Sequence, residues 1–150
     1  MTTAVQHAKP KILASGEGER HSMLTHTLVW KLDGNDTDGR YAVFEMIDAA
    51  HGEPPLHSHP REETFYILEG ELEITLGNRQ HVITAGAVSH IPANAVHTFK
   101  VLSAIARVLI IVSPAAAAEF YREVGERMTS LPSDLTVLQE ISAKYGLQLR

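Results

Sequence analysis

The chain has 150 residues, a net charge of −5, no cysteine and nine histidines. That length fits one ordinary domain, residues 1–150, with a core that needs no disulfide. The missing cysteines exclude a disulfide framework, a zinc–thiolate or iron–sulfur site and a cysteine nucleophile, and the acidic balance without a long basic run argues against nucleic acid as a partner.

The segment Met1–His7 lacks the basic start and apolar run of a signal peptide. The longest strongly apolar stretch, Val108–Val112, is too short to span a membrane. A cytoplasmic location without membrane attachment is therefore expected, and the cysteine-free composition is compatible with it.

Leu28–Leu32 is the first strand candidate, and Asp33–Gly39 reads as a turn or loop. Tyr41–Ile47 is a strand by its aromatic and branched content, ended by Gly52-Glu53-Pro54-Pro55. Thr64–Leu68 and Glu71–Leu76 follow, joined at Glu69-Gly70. In the second, Leu72, Ile74 and Leu76 alternate with polar residues, which marks a half-buried strand. Gln80–Thr84, Ala87–Ile91, His97–Leu102 and Ala106–Val112 complete a set of short strands with regular turn signals. This pattern predicts a sandwich or barrel.

After the strands the text becomes helical. Ser113 is the expected N-cap and Pro114 the first helical position, with helix formers over Ala115–Met128 and Gly125 as a weak point. A second helix is expected from Pro132-Ser133, with Leu135, Leu138 and Ile141 on one stripe and Gly146 as its stop. Both helices are expected to pack on the barrel, with Phe120 and Tyr121 as packing residues outside the pocket.

The chemistry centres on His57-Ser58-His59-Pro60-Arg61-Glu62-Glu63. Side chains at i and i+2 of a strand leave from one face, so His57 and His59 can meet at one point, and Glu63 keeps their parity. Two histidines and a carboxylate with open positions suit non-heme iron(II) and related metals. Glu62 is expected to point the other way, and Arg61 to be exposed.

On these residues the sequence resembles the cupin family. That family's first motif is a glycine, five residues, HxH, three or four residues, Glu, six residues and a glycine. Here His57-x-His59, Glu63 and Gly70 keep the spacing, while Gly52 lies four residues before His57. The second motif is matched by Gly86, Pro92 and His97, with Asn94 at the expected glycine and Val101 at the expected final asparagine. Asn tolerates the left-handed backbone that the turn needs.

The resemblance implies an all-β double-stranded β-helix, a jelly-roll barrel with its core over about 25–113 and C-terminal helices over about 114–146. It implies one divalent transition metal (Fe, Mn, Ni, Zn, Co or Cu) held by His57, His59, Glu63 and His97, and a homodimer, which is also the commonest soluble oligomer. Glu63 has a second, catalytic reading as general base, known in quercetinase-like cupins, which this sequence resembles.

Phe65, Ile67 and Phe99 have the parity to follow the ligands inward. Ile67 is expected in the core, while Phe65 and Phe99 stay open between core and substrate pocket. His51 is a pocket candidate at the barrel mouth, His81 is expected in solvent, and His90 is open to either side; none of the three is expected as a ligand. The expected partner is a small molecule. Three functions compete on the same ligand set: a dioxygenase acting on a flavonol-, diketone- or aromatic-like chelator, a metal-dependent isomerase or lyase, and a non-catalytic binder.

Overall fold

The computed structural model describes residues 8–50, 53–130 and 133–150. Two antiparallel sheets face each other. The first contains β1 (Glu19–Met23), β2 (His26–Leu32), β3 (Ala42–Ala49), β5 (Glu62–Glu69), β8 (Val88–Ile91) and β10 (Ile105–Ser113), in the order β1-β2-β3-β10-β5-β8. The second contains β4 (His57–Ser58), β6 (Glu71–Leu76), β7 (Arg79–Thr84), β9 (His97–Val101) and β11 (Gln148–Leu149), in the order β11-β4-β9-β6-β7.

The alternation read from the sequence sets which side chains face inward. Phe44 and Met46 from β3, Phe65 and Ile67 from β5, and Val108, Ile110 and Val112 from β10 are buried against Leu72 and Ile74 of β6 and Val101 of β9. Every second residue of these strands enters the core, as the two-residue period requires. Gly70 makes the tight β5–β6 connection at φ 91°, where a Cβ would lie 2.5 Å from the Ile105 carbonyl oxygen.

Two sheet members were not anticipated. β1 is polar on most of its length (ERHSM), so no apolar alternation announces it, yet it pairs with β2 from Glu19↔Trp30 to Met23↔His26. β11 is only two residues long and closes over β4, with Leu149 opposite His57. The sheets thus extend beyond the 25–113 expected for the barrel.

The C-terminal tail also differs in detail from its sequence reading. Ser113 is the last residue of β10, and its hydroxyl donates to the Arg40 carbonyl instead of capping a helix. Pro114 occupies the N-cap of a 3₁₀ turn, Ala115–Ala118, which leads into α1 (Glu119–Arg127). α2 (Leu135–Tyr145) starts after Asp134 and ends at Gly146 in the left-handed conformation; Pro132 lies outside the described residues. As expected, the helices bury apolar residues against the barrel, including Val124 and Ile141.

Gly125 is a point of close approach. A Cβ there would meet the Ser22 carbonyl oxygen at 2.5 Å and His21 Cδ2 at 3.0 Å, so the missing side chain lets α1 lie on β1. Gly125→Ala should therefore destabilise the protein by about 1–3 kcal/mol despite the better helix propensity of alanine. Urea unfolding would check this, and a stabilised variant would show that α1 can lift off β1 without cost.

Candidate metal centre

Three histidines converge at one mouth of the barrel. β4 sets His57 directly opposite His97 of β9, and their ring centroids are 4.3 Å apart. His59 follows just after β4, 4.7 Å from the His97 ring and 5.5 Å from the His57 ring. Each of the three offers a nitrogen within 4.8 Å of the others, and all three side chains are buried. Asn94 takes the left-handed conformation at φ 66°, as the turn required, and its N–H donates to the His59 carbonyl.

The outward nitrogens are all occupied in the same way. Nδ1 lies 2.7 Å from the Pro55 carbonyl oxygen in His57, 3.0 Å from that of Arg61 in His59, and 2.8 Å from that of Ala95 in His97. A carbonyl can only accept, so each Nδ1 carries the proton and each Nε2 presents a lone pair. Nε2 of His59 and of His97 is buried with no hydrogen-bond partner among the described residues. Glu63 Oε2, a further acceptor, sits 3.2 Å from His59 Nε2 and 3.4 Å from His97 Nε2. Burial, with the neighbouring His97 and His59, pushes the His57 imidazole down to about 4, against the pull of the Pro55 carbonyl, so its ring is neutral.

Lone pairs converging in a buried site repel one another unless a cation lies among them. The donor set of neutral imidazoles beside a carboxylate therefore fits a divalent transition metal, and the His57–His59–His97 triad could hold one.

The other carboxylate oxygen of Glu63 faces the protein. Arg61 Nε donates to Oε1 at 3.1 Å, and the Tyr121 hydroxyl donates to the same oxygen. Arg61 Nη2 reaches the Tyr121 oxygen at 3.3 Å, and the guanidinium lies 4.9 Å from the Phe120 ring centroid and 5.1 Å from that of Tyr121. Burial pushes the Glu63 carboxyl up, but the Arg61 guanidinium and the adjoining His59 and His97 rings together outweigh this and hold it well below the usual carboxylate range. Burial and the adjoining Glu63 raise the Tyr121 hydroxyl.

Two expectations are corrected here. Arg61 is buried, at 3% exposure, and not exposed. Its odd number gave it the parity of His57, His59 and Glu63, and that signal was in the sequence. Tyr121 is not a mere packing residue. It touches Glu63, and with Phe120 it lines the cavity at the site. Nothing local could reveal this, because the two residues are 58 positions apart.

That cavity has a volume of about 530 Å³ and is bordered by His57, Glu63 and His97, with Phe65, Phe99, Met46 and Ile110 among its apolar walls. Phe65 and Phe99 meet edge to face at 5.8 Å, and Ile67 is fully buried in the core. Glu62, His81 and His90 are exposed, and Thr64 Oγ1 lies 2.9 Å from His90 Nδ1. His51 and Gly52 lie outside the described residues. The cavity wall also contains His26, which the sequence reading did not single out.

Residues 44–112 match the family described as the cupin domain. Over 129 residues, 84% of its length, the chain is 28% identical to quercetin 2,3-dioxygenase of Bacillus subtilis (strain 168), and it spans 38% of that relative. Among solved structures, the polyketide cyclase RemF from Streptomyces resistomycificus aligns with a TM-score of 0.62 at 21% identity, covering 70% of this chain and 80% of that one. An RmlC-like cupin from Shewanella frigidimarina NCIMB 400 aligns with a TM-score of 0.61 at 16% identity, covering 71% and 93%. The chain has the cupin fold, its two antiparallel sheets forming the jelly-roll, and residues 44–112 are similar to the cupin domain. Among the described residues no helix is long and apolar enough to cross a membrane.

The Arg61–Glu63 pair is buried on both sides, so removing one partner strands the other charge. Arg61→Leu should cost roughly 3–5 kcal/mol in the metal-free protein. Tyr121→Phe should cost about 1.5–3 kcal/mol, since it removes one hydrogen bond to a charged acceptor. Denaturant titration measures both, and an Arg61→Leu variant as stable as the parent would mean that Glu63 finds its neutralising charge elsewhere.

Proposed function

We propose that the chain is a metal-dependent enzyme of the dioxygenase type, acting on a small chelating substrate of flavonol, diketone or aromatic character. The observation that carries this is the convergence of buried acceptors: His59 Nε2, His97 Nε2 and Glu63 Oε2 face one another beside His57, with no proton donor among them. In this reading His57, His59, Glu63 and His97 hold one divalent transition metal. That metal supplies Lewis acidity and open positions for substrate.

The chain's own residues then have distinct tasks. The carbonyls of Pro55, Arg61 and Ala95 orient the three imidazoles. Arg61 and Tyr121 hold Oε1 of Glu63, so that Oε2 is presented to the site as the carboxylate ligand. Phe65 and Phe99 keep water off the bound substrate and give its rings an apolar wall. Glu63 reads better as ligand than as general base, because Arg61 and Tyr121 already occupy its second oxygen.

The similarity to quercetin 2,3-dioxygenase over most of this chain supports the choice of reaction class. A homodimer belongs to the same reading, with exposed Tyr66, Leu68 and Val88 on β5 and β8 as apolar surface for a second copy. Oxygen uptake on adding quercetin or acetylacetone to the metal-loaded protein tests the proposal. Turnover of a chelating substrate under strict anaerobiosis would replace it with an isomerase or lyase, and tight binding without turnover would replace it with a binder.

The metal site has its own test. His97→Ala should lose most of the bound metal while circular dichroism shows the barrel intact; a full metal-to-chain ratio by elemental analysis would remove His97 from the ligand set. A metal bound only by the folded chain should also stabilise it by about 4 kcal/mol when free metal is a thousandfold above its Kd. Thermal unfolding with and without a chelator reads that difference.

A further inference from the structure

A second polar pair lies in the wall of the same cavity. His26, at the start of β2, lines it, and Asp48 near the end of β3 is directly behind. The strands pair Thr27 with Ile47, so His26 and Asp48 are the next cross-strand neighbours. His26 Nδ1 is 3.0 Å from Asp48 Oδ1, and the Asp48 side chain is fully buried. Among the described residues neither Asp48 oxygen nor His26 Nδ1 has a hydrogen-bond partner, so the 3.0 Å approach of Nδ1 to Oδ1 is a close polar contact between two otherwise unsatisfied buried groups. The His26 ring is 6.5 Å from that of Phe99, which also borders the cavity.

A buried carboxylate against Nδ1 favours the Nδ1–H tautomer and leaves the Nε2 lone pair at the opposite edge of the ring. This is the same logic that fixes the three metal-facing imidazoles, but here the orienting acceptor is a full negative charge. The pair stands apart from the metal triad in sequence, on the other sheet, and none of the ligand positions is needed to build it.

We propose that His26, held by Asp48, is a proton-accepting catalytic residue open to the substrate cavity. The inference rests on the reading that this cavity takes a small acidic chelator. In the step assigned to it, the O–H bond of a ligand hydroxyl breaks with its electron pair left on oxygen, and an N–H bond forms at His26 Nε2. The resulting imidazolium is balanced by Asp48, and the ligand oxyanion is left free to chelate. Glu63 is not available for this step, since one of its oxygens is held by Arg61 and Tyr121 and the other faces His59 and His97.

The test is diethylpyrocarbonate modification of the metal-loaded full chain, with each histidine followed separately by peptide mass spectrometry. His26 should be modified in the folded protein although only 8% of it is exposed, and Asp48→Asn should slow that modification about tenfold by releasing the ring from its reactive tautomer. An unmodified His26, or equal rates in parent and variant, would overturn the proposal. Nitrogen-15 NMR of the parent protein needs no variant: His26 should show Nδ1–H with bare Nε2, and the opposite tautomer would also overturn it. Quercetin is then added as a protecting probe. If it binds and shields His26 the proposal gains its ligand contact, and if it binds without shielding, that contact is refuted. If quercetin does not bind, the flavonol reading of the site fails while the modification rates still decide the role of His26.

Discussion

Three imidazoles at the barrel mouth are each tethered through Nδ1 to a backbone carbonyl only two residues away: Pro55 for His57, Arg61 for His59 and Ala95 for His97. Such short-range tethers leave the rings little freedom to turn, and they point every remaining lone pair inward. Backbone groups thus build a concentration of negative potential in a buried region at the edge of the cavity. The cost of keeping these acceptors unpaired is what a bound cation would remove, so the local chain geometry and the metal chemistry are linked by one electrostatic requirement.

The same requirement reaches the C-terminal helices. A carboxylate in that site needs a counter-charge, and Arg61 supplies it from the segment between the ligands. Arg61 is itself taken from water and is stabilised by the faces of Phe120 and Tyr121, while the Tyr121 hydroxyl completes the hydrogen bonds of Glu63. α1 therefore packs on β1 and also supports the candidate metal centre through Tyr121. β11 also borders the cavity, running against β4 with Leu149 opposite His57.

The cavity joins two chemical environments. At one side are the three converging histidines, at another His26 backed by Asp48, and Phe65 and Phe99 form apolar surface on the same wall system. Apolar walls with a few oriented polar groups are the usual makeup of a small-molecule site. The cupin fold is shared by proteins of many activities, and solved structures similar to this chain include a polyketide cyclase.

What the sequence by itself determined was whatever depends on short spacing. The two-residue period placed His57, His59 and Glu63 on one side, sent Phe65 and Ile67 inward and put Glu62 in solvent, and Asn94 marked a left-handed turn. Arg61 was legible by the same parity, but a lone arginine is ordinarily assigned to the surface, and only the buried Glu63 beside it explains its position. β1 was hidden because a polar strand carries no hydrophobic alternation, and β11 because two residues carry no periodicity at all. Tyr121 on Glu63, 58 residues apart, and the cross-strand meeting of His26 with Asp48 were decided by the tertiary structure alone. Those contacts arise from how sheets and helices close on each other. Local sequence records the direction of a side chain along its own strand, but not which distant residue will stand at its end.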